Sequence, residues 1–399
     1  MRIPHPAGTL ILAALVVASA CGTPTATPSA SAIPTASAAP TLAPTPTADV
    51  AADLEAALDA GCESYGAPGA LAILRDGSHT WTATSGSADV DGTSITGATR
   101  FRIASITKPI VATLVLQAVD RGEVSLDDVV GELLPGVLRA YPPVTVRQIL
   151  NHTSGVFDES NDGDPTVDIE LLTDPSLRAE AQDLLERYMA GERIIGPDRL
   201  LVALSEVHPR YFEPGAGYHY SNTNYQLAGV VLEKATGQTL AELLQARIVE
   251  PLGLSYTTIA PPDIASPELR GYGTSTTDGS LVDLTDDLVS FGNGGNGGII
   301  ATADELLTIM QAIVSGTLIP TDLVEDMKTA ERESYGLGLG TYVLTCGTFY
   351  GHQGGVNGTA SIAIVTDDGA SGVVFAMNLR SGADPRLPSL ADDALCRLR

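Results

Sequence analysis

The chain is predicted to be an α+β protein, with an antiparallel sheet built from both ends of its folded region, flanked by terminal helices. An all-helical lobe is expected to be inserted between them. Three observations predict this. Strand patterns fall in two places, Ala70 to Thr84 and Gly336 to Met377; helical patterns dominate the region between; and amphipathic helices open and close the folded part. Strands at both ends share a sheet when the ends come together and the middle is set aside as its own layer.

The first elements are not part of that fold. Residues 1–20 read as a secretory signal, with Arg2 as a short basic region and Thr9 to Ala18 as an apolar stretch too short to span a bilayer. It ends Ala18-Ser19-Ala20-Cys21, which resembles a bacterial lipobox, so Cys21 is expected to be acylated. The alternative is a cleaved signal with an incidental cysteine. Residues 21–48 are Thr, Pro, Ala and Ser almost throughout; such a composition cannot bury a core and reads as a semi-rigid spacer. The protein is therefore expected to be secreted and lipid-anchored on the outer face of a bacterial cytoplasmic membrane.

Within the folded part, Val50, Leu54, Ala57, Leu58 and Cys62 mark a helix closed by Gly61 or Gly66. Ala70 to Leu74 and Thr80 to Thr84 flank Arg75-Asp76-Gly77-Ser78, a hairpin signal. Residues 49–124 and 285–399 are expected to form the α/β lobe and residues 125–284 the helical lobe. His152, in Asn-His-Thr-Ser-Gly, reads as a structural histidine in a turn. Asp158 to Asp174 is acidic and poor in apolar residues, and lacks the spacing of a calcium loop, so it reads as a solvated surface insertion. Helical patterns follow over Ala179 to Met189, Asp198 to Val207, Tyr225 to Ala235 and Leu240 to Ile248. The run Gly292 to Gly297 formally meets a dinucleotide fingerprint but has no clear strand before it, and the next helix waits for a capping box of Thr302 with Glu305. The glycines are better suited to close backbone approach. Strand patterns then occupy Gly336 to Leu344, Thr348 to His352, Thr359 to Thr366 and Gly372 to Met377, before a last helix from Leu387 to about Leu398.

A formal net charge of −26 argues against nucleic acid and anionic lipid surfaces as partners. Of the cysteines besides Cys21, a Cys346–Cys396 bridge is favoured, leaving Cys62 a buried thiol; Cys62–Cys396 is the alternative.

The chemistry centres on Arg100 to Glu123. Ser105 and Lys108 lie three apart, so on a helix they share a face, and Ile110, Val111, Leu114, Val115, Ala118 and Val119 recur at helical spacing behind them. Pro109 is tolerated when Ser105 lies near the helix start, where the backbone N–H groups have no helical partner anyway. A serine hydroxyl there, with an amine one turn away, is the setting in which a nucleophile can be activated. Lysine is scarce, occurring at 108, 234 and 328 alone, and unlike arginine it can give up its proton when buried.

Taken in order, Ser105-x-x-Lys108, Tyr220-x-Asn222 and His352-x-Gly354 resemble the site motifs of the penicillin-recognising serine hydrolases. This family comprises D-alanyl-D-alanine carboxypeptidases, class C β-lactamases and their esterase and D-aminopeptidase relatives. Asn-His-Thr-Ser-Gly at 151–155 and Gly297 to Asp304 support the resemblance, which covers the chain from about Leu71 onward. It implies a β-lactamase/transpeptidase-like fold. It also implies a serine hydrolase that forms an acyl-enzyme on a peptide-like, β-lactam or ester carbonyl, as in the carboxypeptidases and β-lactamases. Ser105 would be the nucleophile. Tyr220 would serve as base if the charge on Lys108 lowers its pKa; which of the two takes the proton first stays open. Tyr218 and His219 are rivals for the Tyr220 role. Asn222 would hold Lys108 with one end of its amide and the substrate with the other. The N–H groups of Ser105 and Gly355 would form the oxyanion hole. His352 replaces the usual lysine as a polar, positive wall for a substrate carboxylate, and Gly354 would leave its strand bare where substrate lies. Gln353 departs from the usual threonine or serine, which makes an esterase or D-aminopeptidase of the same fold the alternative. A further alternative is a non-catalytic cell-wall-binding lipoprotein. Ligand clusters for a metal are lacking, so no cofactor is expected. Expected partners are a small-molecule or peptide substrate and, through the lipid anchor, the membrane; a monomer is the expected state.

Overall fold

Six antiparallel strands form the central sheet, and the order in which they pair joins the two ends of the folded chain. The structure is a computed structural model, and it describes residues 47–139, 141–190, 194–196, 198–259, 268–275, 277–285, 289–291, 294–356, 358–379 and 387–396. The expected signal segment, Cys21 and nearly all of the spacer lie outside the described residues.

Helix α1 (Thr47–Tyr65) leads into β1 (Gly69–Asp76) and β2 (His79–Gly86), which pair with Asp76 opposite His79. Gly77 turns the hairpin at φ 55°, where a residue with a Cβ is strained. At the far end of the chain come β3 (Gly340–Leu344), β4 (Gly347–Val356), β5 (Thr359–Thr366) and β6 (Ser371–Met377). The order across the sheet is β3-β4-β5-β6-β1-β2, with β1 pairing β6 through Ala70 opposite Met377.

Both faces of this sheet are covered, which is why β5 and β6 are buried along their whole length. Alternate residues serve different cores. Ala72, Leu74, Ile362, Ile364, Val373 and Phe375 face α1 and the C-terminal helix Leu387–Cys396. Leu71, Ile73, Ala363, Val365, Val374 and Ala376 face the helices of the site. Each such aliphatic side chain contributes ~1.5–3 kcal/mol by leaving water. The Cys346–Cys396 disulfide is present and Cys62 is free, but half-buried rather than buried as expected.

On the second face lie α2 (Thr107–Asp120), α3 (Asn222–Thr236) and α4 (Ala303–Val314). Helix α2 is enclosed on all sides, with Thr107 to Ala118 buried. Thr302 caps α4 by accepting from the N–H of Glu305, yet the expected reciprocal bond is absent: the Glu305 carboxylate instead accepts from the N–H groups of Ser255 and Tyr256.

The inserted region is richer than expected. Short strands Thr258–Ile259, Tyr272–Thr274 and Leu281–Asp283 accompany its helices. A strand, Val289–Phe291, does precede the glycine run, pairing parallel with Ile194–Gly196; no helix follows directly, since Ile299–Thr302 is itself a strand. Residues 292 and 293 of that run lie outside the described residues. The acidic stretch after Phe157 is not a solvated loop: it forms helices Glu159–Asp162 and Pro165–Leu171, with Asp158, Glu159 and Asp168 no more than 4% exposed. Asp158 and Glu159 are drawn in because their backbone is stitched to the start of α3, as described next, whereas Asp168 accepts from the N–H of Asp164 and faces His208.

Candidate active site

Ser105 sits in a single 3₁₀ turn, Ala104–Ile106, immediately before α2. Ala104 is held at φ 48°, a left-handed conformation costly for a residue with a Cβ, so the turn is tight and its neighbours must impose it. Those neighbours are Ile299, whose carbonyl accepts from the N–H of Ile103, and strand β4. Gly354 of β4 explains the second approach: a Cβ there would lie 2.2 Å from the Ile103 carbonyl oxygen and 2.6 Å from Ser361 Oγ. The bare face of Gly354 is therefore turned to the serine's turn and not to a substrate, as the motif alone suggested. β4 also runs past its pairing with β3, which ends at Gly351 opposite Gly340, so His352 to Val356 have β5 on one side only.

Lys108, one turn into the run and wholly buried, donates to three oxygens: Ser105 Oγ at 3.1 Å, Asn222 Oδ1 at 2.8 Å and the Asn296 carbonyl at 2.8 Å. Burial drives its pKa down from 10.5 to about 7, opposed by the nearby Asp158 carboxylate. In the neutral amine, the two N–H bonds serve the Asn222 and Asn296 oxygens, which leaves the lone pair facing the Ser105 hydroxyl. That is the geometry of a general base.

Tyr220 is hydrogen-bonded to Ser105, and the Lys108 Nζ lies 4.8 Å from its ring centroid. Its pKa is raised, not lowered: burial dominates, and the hydrogen bond with Ser105 does not overcome it. The lowered pKa expected from a neighbouring ammonium is not what the site gives, because removal from water penalises the phenolate and the Asp158 carboxylate adds to that penalty. Tyr218 and His219 do not compete for the position. Tyr218 packs near Tyr335 with ring centroids 6.2 Å apart, and His219 stacks on Tyr211 at 3.6 Å.

His352 is also not the positive wall the motif suggested. Burial and the Lys108 charge take its pKa down to about 3, so it is neutral. Its Nδ1–H donates to the Gln353 carbonyl at 2.5 Å, which leaves Nε2 to accept from the Tyr335 hydroxyl at 3.0 Å. The Gln353 side chain is bonded to Tyr342. Asn222 does hold Lys108, but the other end of its amide lies 3.4 Å from Asp158 Oδ2 instead of standing free for substrate. Gly355 is half-buried on the stretch of β4 that runs beyond β3. His152 is structural, as expected: held at φ 59°, its Nδ1 accepts from the N–H of Ser221 and lies 3.1 Å from Asn224 Nδ2, locking the Tyr-Ser-Asn loop.

Three contributors were not found from the sequence. Tyr335 had no motif around it. Asn296 acts through its carbonyl, which any residue carries, although its place in a glycine run signalled close backbone approach. Asp158 was hidden in an acidic stretch. Among the described residues no cluster of His, Cys, Asp and Glu could hold a metal.

Comparison with known proteins agrees with this geometry. The Beta-lactamase family profile matches residues 51–395. Esterase EstB of Burkholderia gladioli is 31% identical over 320 residues, covering 74% of this chain and 77% of its own. The D-aminopeptidase of Brucella anthropi (strain ATCC 49188) is 27% identical over 304 residues, and the match spans about half of that protein, 52%. Among solved structures, a D-stereospecific amidohydrolase from Streptomyces sp. superposes with a TM-score of 0.70 at 32% identity, covering 86% of this chain and 98% of its own.

Proposed function

The chain belongs to the Beta-lactamase family and is a serine hydrolase, and from that premise we propose that it cleaves neutral or amino-bearing amides and esters in preference to substrates ending in a carboxylate. The observation that carries this reading is the site's charge. The cation that would receive a terminal carboxylate is replaced by a neutral His352, and Gln353 is occupied by Tyr342. Beyond Asn222 lies the Asp158 carboxylate, with Asp162 beside it, so an acyl group bearing an ammonium is favoured there and an anionic one repelled. The esterase, the D-aminopeptidase and the D-stereospecific amidohydrolase that resemble this chain support the same direction.

In the proposed acylation, neutral Lys108 takes the Ser105 proton as Oγ bonds to the substrate carbonyl carbon. Tyr220, a neutral phenol on the same Oγ, hands its proton to the leaving nitrogen or oxygen as that bond breaks. The Lys108 ammonium, beside the Tyr220 ring, then returns the proton to the phenolate, so that both groups end neutral with Oγ held in the ester. Backbone N–H groups of Ser105 and Gly355 are the proposed oxyanion donors, each typically worth ~3 kcal/mol of barrier. Attachment at Cys21 to the outer face of the membrane belongs to the proposal and rests on residues 1–48.

Labelling with a fluorophosphonate probe tests the nucleophile: wild type forms an adduct and Ser105→Ala does not. A panel of D-amino acid amides, p-nitrophenyl esters and D-alanyl peptides, read by mass spectrometry of the acyl-enzyme, tests the substrate class. Acylation confined to peptides with a free terminal carboxylate would overturn it.

A further inference from the structure

Asp158 lies outside every motif, yet it is 1% exposed and ends one amide away from the catalytic amine. Its place is built. Ser154 Oγ donates to Asn224 Oδ1 at 2.7 Å, Ser221 Oγ to the Phe157 carbonyl at 3.3 Å, and the N–H of Glu159 to Thr223 Oγ1 at 3.4 Å. These bonds lay residues 154–159 along the start of α3. The Asp158 N–H itself donates to the Tyr211 hydroxyl at 3.1 Å.

Of its two carboxylate oxygens, Oδ2 accepts from Asn161 Nδ2 at 2.6 Å and faces Asn222 Nδ2 at 3.4 Å, while Oδ1 is buried with no hydrogen-bond partner among the described residues. A buried carboxylate oxygen left unpaired is costly, so the site retains it against stability. An amide can be turned end for end. With its oxygen toward a carboxylate and its NH₂ toward an amine, it would meet like with like at both ends. We propose that Asp158 is a positioning residue for acylation: acting through Asn222, it turns the amide oxygen toward Lys108 and keeps a compensating charge one amide away from the buried amine. A carboxylate in direct contact would hold the ammonium permanently. One set back behind an amide helps the amine keep its proton without preventing its release.

The groups facing Lys108 from the elements around it are Ser105 on its own turn, Tyr220 and Tyr225 at and just before α3, and the neutral His152 and His352. Asp158 is the charged one among them, and its own acidic neighbours are Glu159 and Asp162.

The proposal extends the acyl-enzyme reading but can be tested without turnover. With three lysines in the chain, ¹³C-lysine NMR resolves Lys108 directly, assigned by its loss in Lys108→Met. Wild type is expected to show one lysine titrating near pH 7. In Asp158→Asn that midpoint falls by about one pH unit, and the acid limb of fluorophosphonate labelling moves down with it. Glu159→Gln, which removes the neighbouring group that also titrates near 7, leaves a single Lys108 transition that Asp158→Asn still shifts. An unmoved Lys108 midpoint in folded Asp158→Asn, or in the smaller Asp158→Ser if the first does not fold, overturns the proposal. Absent labelling of wild type would instead count against the hydrolase reading and leave the NMR result standing.

Discussion

Gly354→Ala is the substitution whose consequence can be worked most directly from the structure. Its new Cβ would lie 2.2 Å from the Ile103 carbonyl oxygen, whereas ordinary contact begins near 3.4 Å, so β4 and the serine's turn must part by about 1.2 Å. Neither side yields cheaply. The obstruction is backbone, Ile103 is tied to Ile299, and β4 is bonded along its length to β5. Overpacking of this kind costs ~1–3 kcal/mol, and a displacement of about 1 Å at a nucleophile costs about 100-fold in rate. The expected result is a labelling rate by fluorophosphonate at least tenfold below wild type, with an unfolding midpoint lower by several degrees. Gly97→Ala is the control, since nothing lies within 4 Å of a Cβ at that position, and it should leave both quantities unchanged. A Gly354→Ala variant that labels at the wild-type rate would refute the argument that this glycine sets the distance between β4 and Ser105.

Four further outcomes follow from the same geometry. Because Lys108 must be neutral to act as base and titrates near 7, acylation should fall tenfold per pH unit below that value and level off above it, in a stopped-flow or labelling profile. Lys108→Met should be inert yet more stable. The folded state binds the lysine proton less tightly than the unfolded state, so stability lost to this group is complete below pH 7 and recovered as pH rises toward 10.5. The fall from 10.5 to about 7 corresponds to ~5 kcal/mol, less about 1 kcal/mol for each of three hydrogen bonds, so denaturant unfolding at pH 7 should show a net gain of about 2 kcal/mol. Gln353→Thr should raise kcat/KM for D-alanyl peptides with a free carboxylate relative to their amides, because the hydroxyl is not claimed by Tyr342. Cys396→Ser opens a bridge spanning 50 residues and should cost ~4 kcal/mol of unfolding free energy in the chain-entropy model, with labelling of Ser105 retained.

What was legible in the sequence is what depends on local spacing or residue chemistry. Ser105 and Lys108 were brought together by helical periodicity, Asn222 was paired with Lys108 through the order of motifs, and the hairpin Arg75 to Ser78 was marked by its turn residues. The disulfide was legible because Cys346 and Cys396 lie on elements that the sheet's topology returns to one another. What was not legible depends on burial, which is a tertiary property. An acidic run with few apolar residues reads as solvated, and nothing local reveals that α3 begins where Asp158 and Glu159 can be stitched against it. The protonation states of Tyr220 and His352 depend on the same property: one is read from a neighbouring charge and the other from the lysine it replaces, while removal from water is the larger influence on each. Gly354 was read for what could lie against a bare strand, and the strand's bare side faces inward.

The same comparison of magnitudes underlies the order of proton transfers proposed for acylation. Lys108 is surrounded by rings, with its Nζ 4.8 Å from the Tyr220 centroid and 5.6 Å from that of Tyr225. Those π-faces attract the ammonium, each by about 0.5–2 kcal/mol. Yet the same rings exclude water, and the net effect takes the pKa down from 10.5 to about 7, which corresponds to ~5 kcal/mol against the charge. Exclusion of water therefore outweighs the attraction. Tyr220 experiences the same exclusion with the opposite sign, since for a phenol the charged form is the deprotonated one. One dry environment thus pushes the amine toward losing its proton and the phenol toward keeping it. Those opposite shifts support the proposed acylation, in which the amine accepts the serine's proton and the phenol donates to the leaving group.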